Sequence, residues 1–346
     1  MGSILTAITN RGMGMNNHKL AVAVFGSALL ASAPAYAFGD MGKAPTVQGT
    51  YVSGEGGYLL LDDRDIPGFG IANTPGKFHD VFVSPDTGWF AGGAIGYARP
   101  EPNDGLWFER IEGYAQFWNA EDSVTRHSPR NGQAGITSVD AKNLVGAFDD
   151  RGRAGASWDS AEGGLKFERD SIYNETTSIT WVINPFIRAM DQSAFGACDC
   201  ARRTGDVSDW MYGVVFAAEP EKWVTQNVAL VGRLGAGFYG FNSDGTFDSR
   251  GTAFGPGPDP LNAHINDSDD GVGFRGQLGA GLKFRLGNGS RLETFAEADY
   301  FSDVGTIHLP SNTLNASKPA NSNSDDLWEL RAGARLTFAI SGGGAN

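Results

Sequence analysis

The sequence predicts an all-β chain: a transmembrane antiparallel up-and-down β-barrel of about ten strands, with eight or twelve as the neighbouring solutions. Three observations lead there. Apolar and polar residues alternate with a period of two over segments mostly 11–15 residues long, about twice the usual strand length and enough for a tilted span. The connections between these segments run long, short, long, short to the end of the chain. Mean hydropathy is only −0.25, which excludes a helical membrane bundle but suits a barrel, where only every second strand residue faces lipid.

The first segment, 50–61, is glycine-rich (TYVSGEGGYLLL) and carries Glu55. The second, 88–99, has Ala91-Gly92-Gly93-Ala94 at its middle, where small residues ease tight curvature. Segment 106–118 has Trp107 and Phe108 at one end, Phe117 and Trp118 at the other, and Arg110 and Glu112 on its polar face. Segment 157–168 contributes Glu162, Lys166 and Glu168 to that face, and 177–190 contributes Arg188. Segment 209–219 begins with Trp210 and Tyr212; 227–241 combines Arg233, Gly235-Ala236-Gly237 and the pair Phe238 and Tyr239. In 272–286 the alternation is strict, with Val272, Phe274, Leu278, Leu282, Phe284 and Leu286 opposite Arg275, Gln277, Lys283 and Arg285. Segment 291–302 sets Arg291, Glu293, Glu297 and Asp299 on the polar face and ends at Tyr300 and Phe301. The last, 327–340, alternates Trp328, Leu330, Leu336, Phe338 and Ile340 with Glu329, Arg331, Arg335 and Thr337. Aromatic residues at strand ends suit the two interfacial girdles of a membrane barrel.

The long connections are 62–87, 119–156, 191–208, 242–271 and 303–326; the short ones are 100–105, 169–176, 220–226 and 287–290. With an even strand number and the N-terminus inside, every long connection falls outside the cell and every short turn inside. A soluble sandwich has no reason to sort its loops in this way.

The N-terminus reads as an export signal. From Met15, an alternative start, the chain runs MNNHKLAVAVFGSALLASAPAYA, with Lys19 as the positive region and Leu20–Ala33 as an apolar stretch of 14 residues. Ala35-Tyr36-Ala37 is an A-x-A cleavage site, so residues 1–37 are expected to be removed and the mature barrel to span 38–340 before the Gly-rich tail 341–346. Removal changes the formal charge from −13 to −15, and the five long connections hold −11 of it.

That acidity speaks against a nucleic-acid partner. Two cysteines exclude a disulfide scaffold and a Cys-based zinc site. Cys198-Asp199-Cys200 sits in the third long connection, where a bridge between residues two apart is strained and a bonded or a free pair are both open. The acidic stretch Asn266–Gly271 places Asp267, Asp269 and Asp270 as a weak Ca²⁺ candidate without an EF-hand frame; a solvated acidic loop is the ordinary reading. No HExxH, GxSxG, P-loop or GxGxxG framework stands in a usable context, and no cofactor is expected.

If the apolar faces meet lipid, the polar faces line the lumen. Its acids are Glu55, Glu112, Glu162, Glu168, Glu293, Glu297, Asp299 and Glu329; its bases are Arg110, Lys166, Arg188, Arg233, Arg275, Lys283, Arg285, Arg291, Arg331 and Arg335. Eight acids against ten bases is no one-signed selectivity field. Ten strands lie close to the size at which side chains fill a barrel, so opposite charges are expected to pair and occlude much of the bore.

On these features the chain resembles Gram-negative outer-membrane β-barrel proteins over nearly all of 38–340. That group carries an assembly signal in its last strand, polar-x-Gly-x-x-hydrophobic-x-aromatic, and Arg331, Gly333, Leu336 and Phe338 fit it. Gln277–Phe284 fits too, and eight residues (AISGGGAN) follow Phe338 where the group usually ends on the aromatic. The opening TYVSGEGGYLLLDD is similar to small porin-like, pore-forming proteins. The resemblance implies the outer membrane, its lipid and lipopolysaccharide, and the barrel assembly machinery as partners, and leaves homo-oligomers open. The first functional expectation is a narrow, weakly selective pore for ions or small solutes, and not an enzyme. The alternative is a structural or adhesive surface barrel with a salt-bridged lumen. A minor alternative is an outer-membrane protease of the omptin kind: His264 and Asp267 share one long connection, but the Asp-x-His order is absent and the second long connection offers only Asp149-Asp150.

Overall fold

A computed structural model describes residues 49–62, 66–74, 77–99, 106–127, 134–135, 151–198, 201–251, 263–287, 290–307 and 324–340. The expected signal segment 1–37 and the tail 341–346 lie outside the described residues. In chain order the strands are β1 (Gly49–Leu61), β2 (Ile66–Thr74), β3 (Lys77–Val83), β4 (Thr87–Ala98), β5 (Arg110–His127), β6 (Ala134–Gly135), β7 (Arg151–Asn174), β8 (Thr177–Cys198), β9 (Ala201–Trp223), β10 (Val228–Gly251), β11 (Ala263–Gly287), β12 (Ser290–Gly305) and β13 (Ser324–Ala339). Ten of them close into one antiparallel ring in the order β1-β4-β5-β7-β8-β9-β10-β11-β12-β13. The seam pairs β1 with β13 from Tyr51↔Ala339 to Leu61↔Glu329. The fold is therefore an up-and-down transmembrane barrel, and each of its ten strands overlaps one of the ten segments read from the alternation.

The short turns have local causes. Between β7 and β8 the Asn174 side-chain oxygen accepts from the Thr176 N–H at 3.0 Å, an Asx turn. Between β9 and β10 the Thr225 hydroxyl accepts from the N–H groups of Asn227 (3.3 Å) and Val228 (3.0 Å).

The long connections differ from expectation. Residues 191–208 are not a loop: β8 and β9 stay paired from Asp191↔Ser208 to Cys198↔Ala201, so the hairpin closes at its tip. Cys200 and the side chain of Cys198 lie outside the described residues. Most of 242–271 is likewise paired strand, from Asn242↔Asp270 to Ser249↔Ala263. So are the two ends of 119–156, where β5 and β7 run together to His127↔Arg151. Strands β7 to β11 are 22–25 residues long, against 12–16 for β1, β4, β12 and β13. The barrel is consequently lopsided, with a tall wall from β5 to β11 on the side of the long connections. Hairpin β2–β3 forms a small sheet with β6 and lies against this wall.

The extensions look like loops in the sequence because their pattern is inverted. Within the belt, apolar side chains point out: Leu230, Leu234 and Phe238 in β10 are exposed. Above it the same outward face carries Asn242, Asp244, Thr246 and Asp248, while Phe241 and Phe247 are buried inside. Val83, Ala154, Ala156, Ala194, Val207, Phe247 and Ile307 form an apolar core there, with Ile66, Val124 and Ile265 packed on it.

Glycine content follows from ring packing. A Cβ on Gly96 would run into the Tyr51 ring directly across the ladder. Gly164 is likewise covered by Tyr114, and Gly273 by Tyr239. Thin strand positions let inward rings lie flat on the wall.

Candidate functional site

Strand alternation sends every second residue of the ring into the bore, and there the ionisable residues form a plug at mid-height. Arg275 donates to Glu162 at 2.9 Å and to Asp299 at 3.1 Å. Arg331 donates to Asp299 at 2.7 Å, Glu297 at 3.1 Å and the Gln116 oxygen at 3.2 Å. Arg188 binds the Glu329 carboxylate with both terminal nitrogens, and its Nε donates to the Ser160 hydroxyl at 2.9 Å. The side chains of Arg188 and Glu329 are each 1% exposed. Arg335 pairs with Glu55 at 2.7 Å, and Gln116 also donates to Glu55. The Tyr114 hydroxyl donates to Glu162 at 2.8 Å and accepts from Asn184 at 3.2 Å.

Aromatic faces complete the desolvation. The Arg188 guanidinium lies 4.7 Å from the Trp118 ring centre and 4.6 Å from Phe301; that of Arg275 lies 4.7 Å from both Phe186 and Phe301. Such contacts contribute more away from water. Above the plug, Leu59, Trp158, Met190, Met211, Tyr239 and Leu327 are buried together as an apolar lid. A β-bulge between Phe301 and Val304, with Asp303 at φ 58°, inserts a residue so that both flanking side chains stay inward.

Toward the short turns the charges thin into a mouth. Lys166 pairs with Glu112 at 2.8 Å, and Arg110 with Glu168 at 2.7 Å and Asp170 at 2.6 Å. Lys283 pairs with Glu221, Arg233 meets Glu219 at 3.4 Å, and the Arg285 guanidinium covers the Trp223 ring at 4.5 Å. Arg291 and Glu293 line the same mouth. Sequence reasoning missed Asp170, Glu219, Glu221, Tyr114, Gln116 and Asn184. Asp170 and Glu221 were cut off by strand ends drawn too short, although each keeps the parity of the lumen face.

The aromatic pairs at strand ends split between two faces, because neighbours on a strand point oppositely. Phe117, Trp210, Tyr212, Phe238 and Trp328 are exposed on the outside; Trp118, Tyr239 and Phe301 are buried in the bore. Of the last-strand motif, Arg331 joins the plug, Gly333 lies beneath the Phe90 ring, and Phe338 is exposed outside, on the face that Leu336 shares.

On the tall wall the Ca²⁺ candidate is corrected. Asp267, Asp269 and Asp270 lie in β11, so alternation puts Asp270 on the face opposite the other two. Among the described residues no group of three potential ligands converges. His264 does not meet Asp267 but Asp248, its cross-strand neighbour, at 2.9 Å, with the two side chains 61% and 39% exposed. Asp206 stands on the same outer face; partial burial, then the Asp248 carboxylate, raise its pKa while Arg202 opposes. On the inner face Arg203 is buried, which lowers its guanidinium to about 10.

An apolar belt outside, an ionic interior and a closed ring make this an outer-membrane-type β-barrel. No protein-family model and no curated protein matches the chain. Solved structures to which it is similar include the outer membrane protease OmpT from Escherichia coli, at 9% identity and a TM-score of 0.46 over 87% of this chain and 100% of that one. Also similar are a TodX deltaS2S3 mutant monoaromatic hydrocarbon channel (6% identity, TM-score 0.23, 86% and 91% of the two chains) and a Pseudomonas aeruginosa FadL homologue (8%, 0.19, 85% and 91%). At these identities and scores the likenesses carry nothing about activity.

Proposed function

We propose that the chain is a closed-bore surface barrel of the outer membrane, in which the membrane part is an anchor and the tall wall, facing the cell exterior, is the structural or adhesive working surface. The observation that carries this reading is the plug: Arg188 with Glu329 and Arg275 with Glu162 are almost wholly shielded from water and pair across the bore. A conduit for solutes would need these groups hydrated, and the apolar lid lies across the same path. The narrow, weakly selective pore is thus the reading with less support. We take the chain as non-enzymatic, since His264 and Asp248 form a solvent-exposed pair on the outer wall. Lipid and lipopolysaccharide surround the belt, and the assembly machinery engages β13 through Arg331, Gly333, Leu336 and Phe338 after export and cleavage behind Ala37. Reconstitution in planar bilayers tests the proposal: clean preparations are expected to give no stepwise conductance. Reproducible unitary steps that scale with protein would overturn it in favour of the pore.

A further inference from the structure

The tall wall ends in two strand edges, one on β5 and one on β11. At the β5 edge the hairpin β2–β3 lies close, and the Ser84 N–H donates to the Asp122 carboxylate at 2.9 Å. At the other end β11 stays paired with β10 as far as Ser249↔Ala263, whereas its pairing with β12 stops at Arg275↔Phe301. The β-bulge after Phe301 turns β12 inward: Gln192 donates to the Gly305 carbonyl at 2.6 Å, and Ile307 joins the apolar core. Among the described residues no strand pairs with β11 on that side from His264 to Val272.

The parity of this edge follows from its ends. Along an antiparallel strand the backbone groups of successive residues turn to opposite neighbours. The Phe274 N–H points to the β12 side, where the Ser302 hydroxyl accepts it at 2.8 Å. Even-numbered residues therefore direct N–H and C=O away from β10, which puts those of His264, Asn266, Ser268, Asp270 and Val272 on the open side. In keeping with that parity, the Asp270 N–H donates to the neighbouring Asp269 carboxylate at 2.9 Å. Ser268, Asp269 and Asp270 are exposed in succession, so both faces of the strand are bare there, while residues 241–247 of β10 alternate buried and exposed without a break. A strand edge of this kind is a template for one more strand.

Charge restricts what that strand can be. Beside the edge stand Asp244 and Asp248 on β10, Asp267, Asp269 and Asp270 on β11, and Asp303 on β12. Above Arg275 no lysine or arginine side chain is described on these three strands; Arg202 and Arg203 lie on β9, two strands away. A second copy of the chain would bring the same acids to the pairing, and like charges across a ladder are destabilising. We propose that the β11 edge, 264–272, takes up an extended basic segment of another polypeptide as an added strand. Main-chain hydrogen bonds supply the attachment, and lysine or arginine side chains lie beside Asp267 and Asp269. The proposal names the kind of partner the tall wall holds, and so rests on the surface-barrel reading.

Fluorescence anisotropy with the full-length barrel in detergent micelles tests it, the probe being a labelled, end-blocked nine-residue peptide that alternates lysine and valine. Saturable binding that weakens with added salt is expected. The same peptide N-methylated at every residue keeps its charge but has no backbone donor, and is expected to bind about tenfold more weakly or worse. Ser268→Pro removes one open-edge donor and leaves the β10 ladder alone, so it is expected to weaken the probe about tenfold. Asp191→Asn, elsewhere on the wall, is expected to bind as the parent does. Unboiled gel mobility establishes that each variant is folded before titration. Absence of saturable binding by the parent would overturn the proposal, as would equal binding of the N-methylated peptide or undiminished binding by folded Ser268→Pro. A loss in Asp191→Asn equal to that in Ser268→Pro would overturn it too, because it would mark general attraction to an acidic protein. Dimers of the parent that disappear in Ser268→Pro would assign the edge to a second copy instead. None of these results bears on conductance through the bore, so failure here is separable from failure of the surface-barrel reading.

Discussion

Arg188→Met is the most informative single change in the plug. It leaves the Glu329 carboxylate, 1% exposed, without its cation, and it removes guanidinium contacts with Ser160, Trp118 and Phe301. Breaking a buried pair in this way costs about 3–5 kcal/mol. Glu329→Leu strands the arginine instead; the two ring faces soften the loss, so about 3 kcal/mol is expected. The double variant removes both charges and fills the space with apolar groups of similar size, which is commonly near neutral and here is expected to cost no more than about 2 kcal/mol. The cycle should therefore show a coupling of several kcal/mol between residues 141 positions apart in sequence. Urea unfolding in lipid or detergent, followed by tryptophan fluorescence and by the mobility of unboiled samples, reads all four stabilities. Single variants that each cost less than about 1 kcal/mol, or a double variant that costs the sum of the two, would refute the argument, since either result means the pair is hydrated rather than sealed.

Gly96→Ala should destabilise the barrel by about 1–3 kcal/mol, because the new Cβ collides with the Tyr51 ring, and pairing it with Tyr51→Leu should return most of the loss in the same unfolding assay. Asp206→Asn addresses pH. The raised pKa of Asp206 means that the folded wall holds its proton more tightly than the unfolded chain. Stability from this group is accordingly gained as pH falls through the folded pKa and is absent at neutral pH; the asparagine variant should be the more stable near pH 7 and lose that part of the acid-side gain. Millimolar Ca²⁺ should leave the thermal unfolding of the parent unchanged, because Asp270 faces away from Asp267 and Asp269; a saturable upward shift would contradict the strand placement. His264→Ala should alter stability by less than about 0.5 kcal/mol, as befits an exposed pair.

The membrane half of this fold is legible because lipid imposes one rule on every strand. In 272–286 the residues that must face hydrocarbon and those that face the bore differ in polarity at each step, so period and length identify the span together. The tall wall obeys no such rule. Residues 202–208 (RRTGDVS) bury only Arg203, Gly205 and Val207 inward, and an arginine and a glycine carry no apolar signal. Likewise Asn242-Ser243-Asp244-Gly245-Thr246 alternates between solvent-facing polar groups and small inward ones, which reads as a loop. The parity of the lumen charges was legible for the same reason as the strands. Their partners were not: Arg188 with Glu329 and Arg275 with Glu162 are set by how the ring closes, and no local pattern encodes that.

The inversion along a single strand links these two halves. β10 crosses from Phe238 outside and Tyr239 inside to Thr246 outside and Phe247 inside without a break in pairing. Its hydrogen bonds run continuously to Ser249↔Ala263, so the solvent around the strand changes while the backbone does not. Below the crossing, lipid takes the apolar face and the charges must satisfy one another inside the bore, which produces the plug. Above it, water takes the polar face and the apolar residues must find each other inside, which produces the core that Val83 and Ile307 complete. An interior closed by ions in one half and by hydrocarbon in the other leaves little room for a continuous water path. Among the described residues, acids of the long connections such as Asp191, Asp206, Asp244 and Asp248 then stand on paired strands. A display on continuously paired strands is what a surface barrel needs if its outer face, and not its bore, is where it acts.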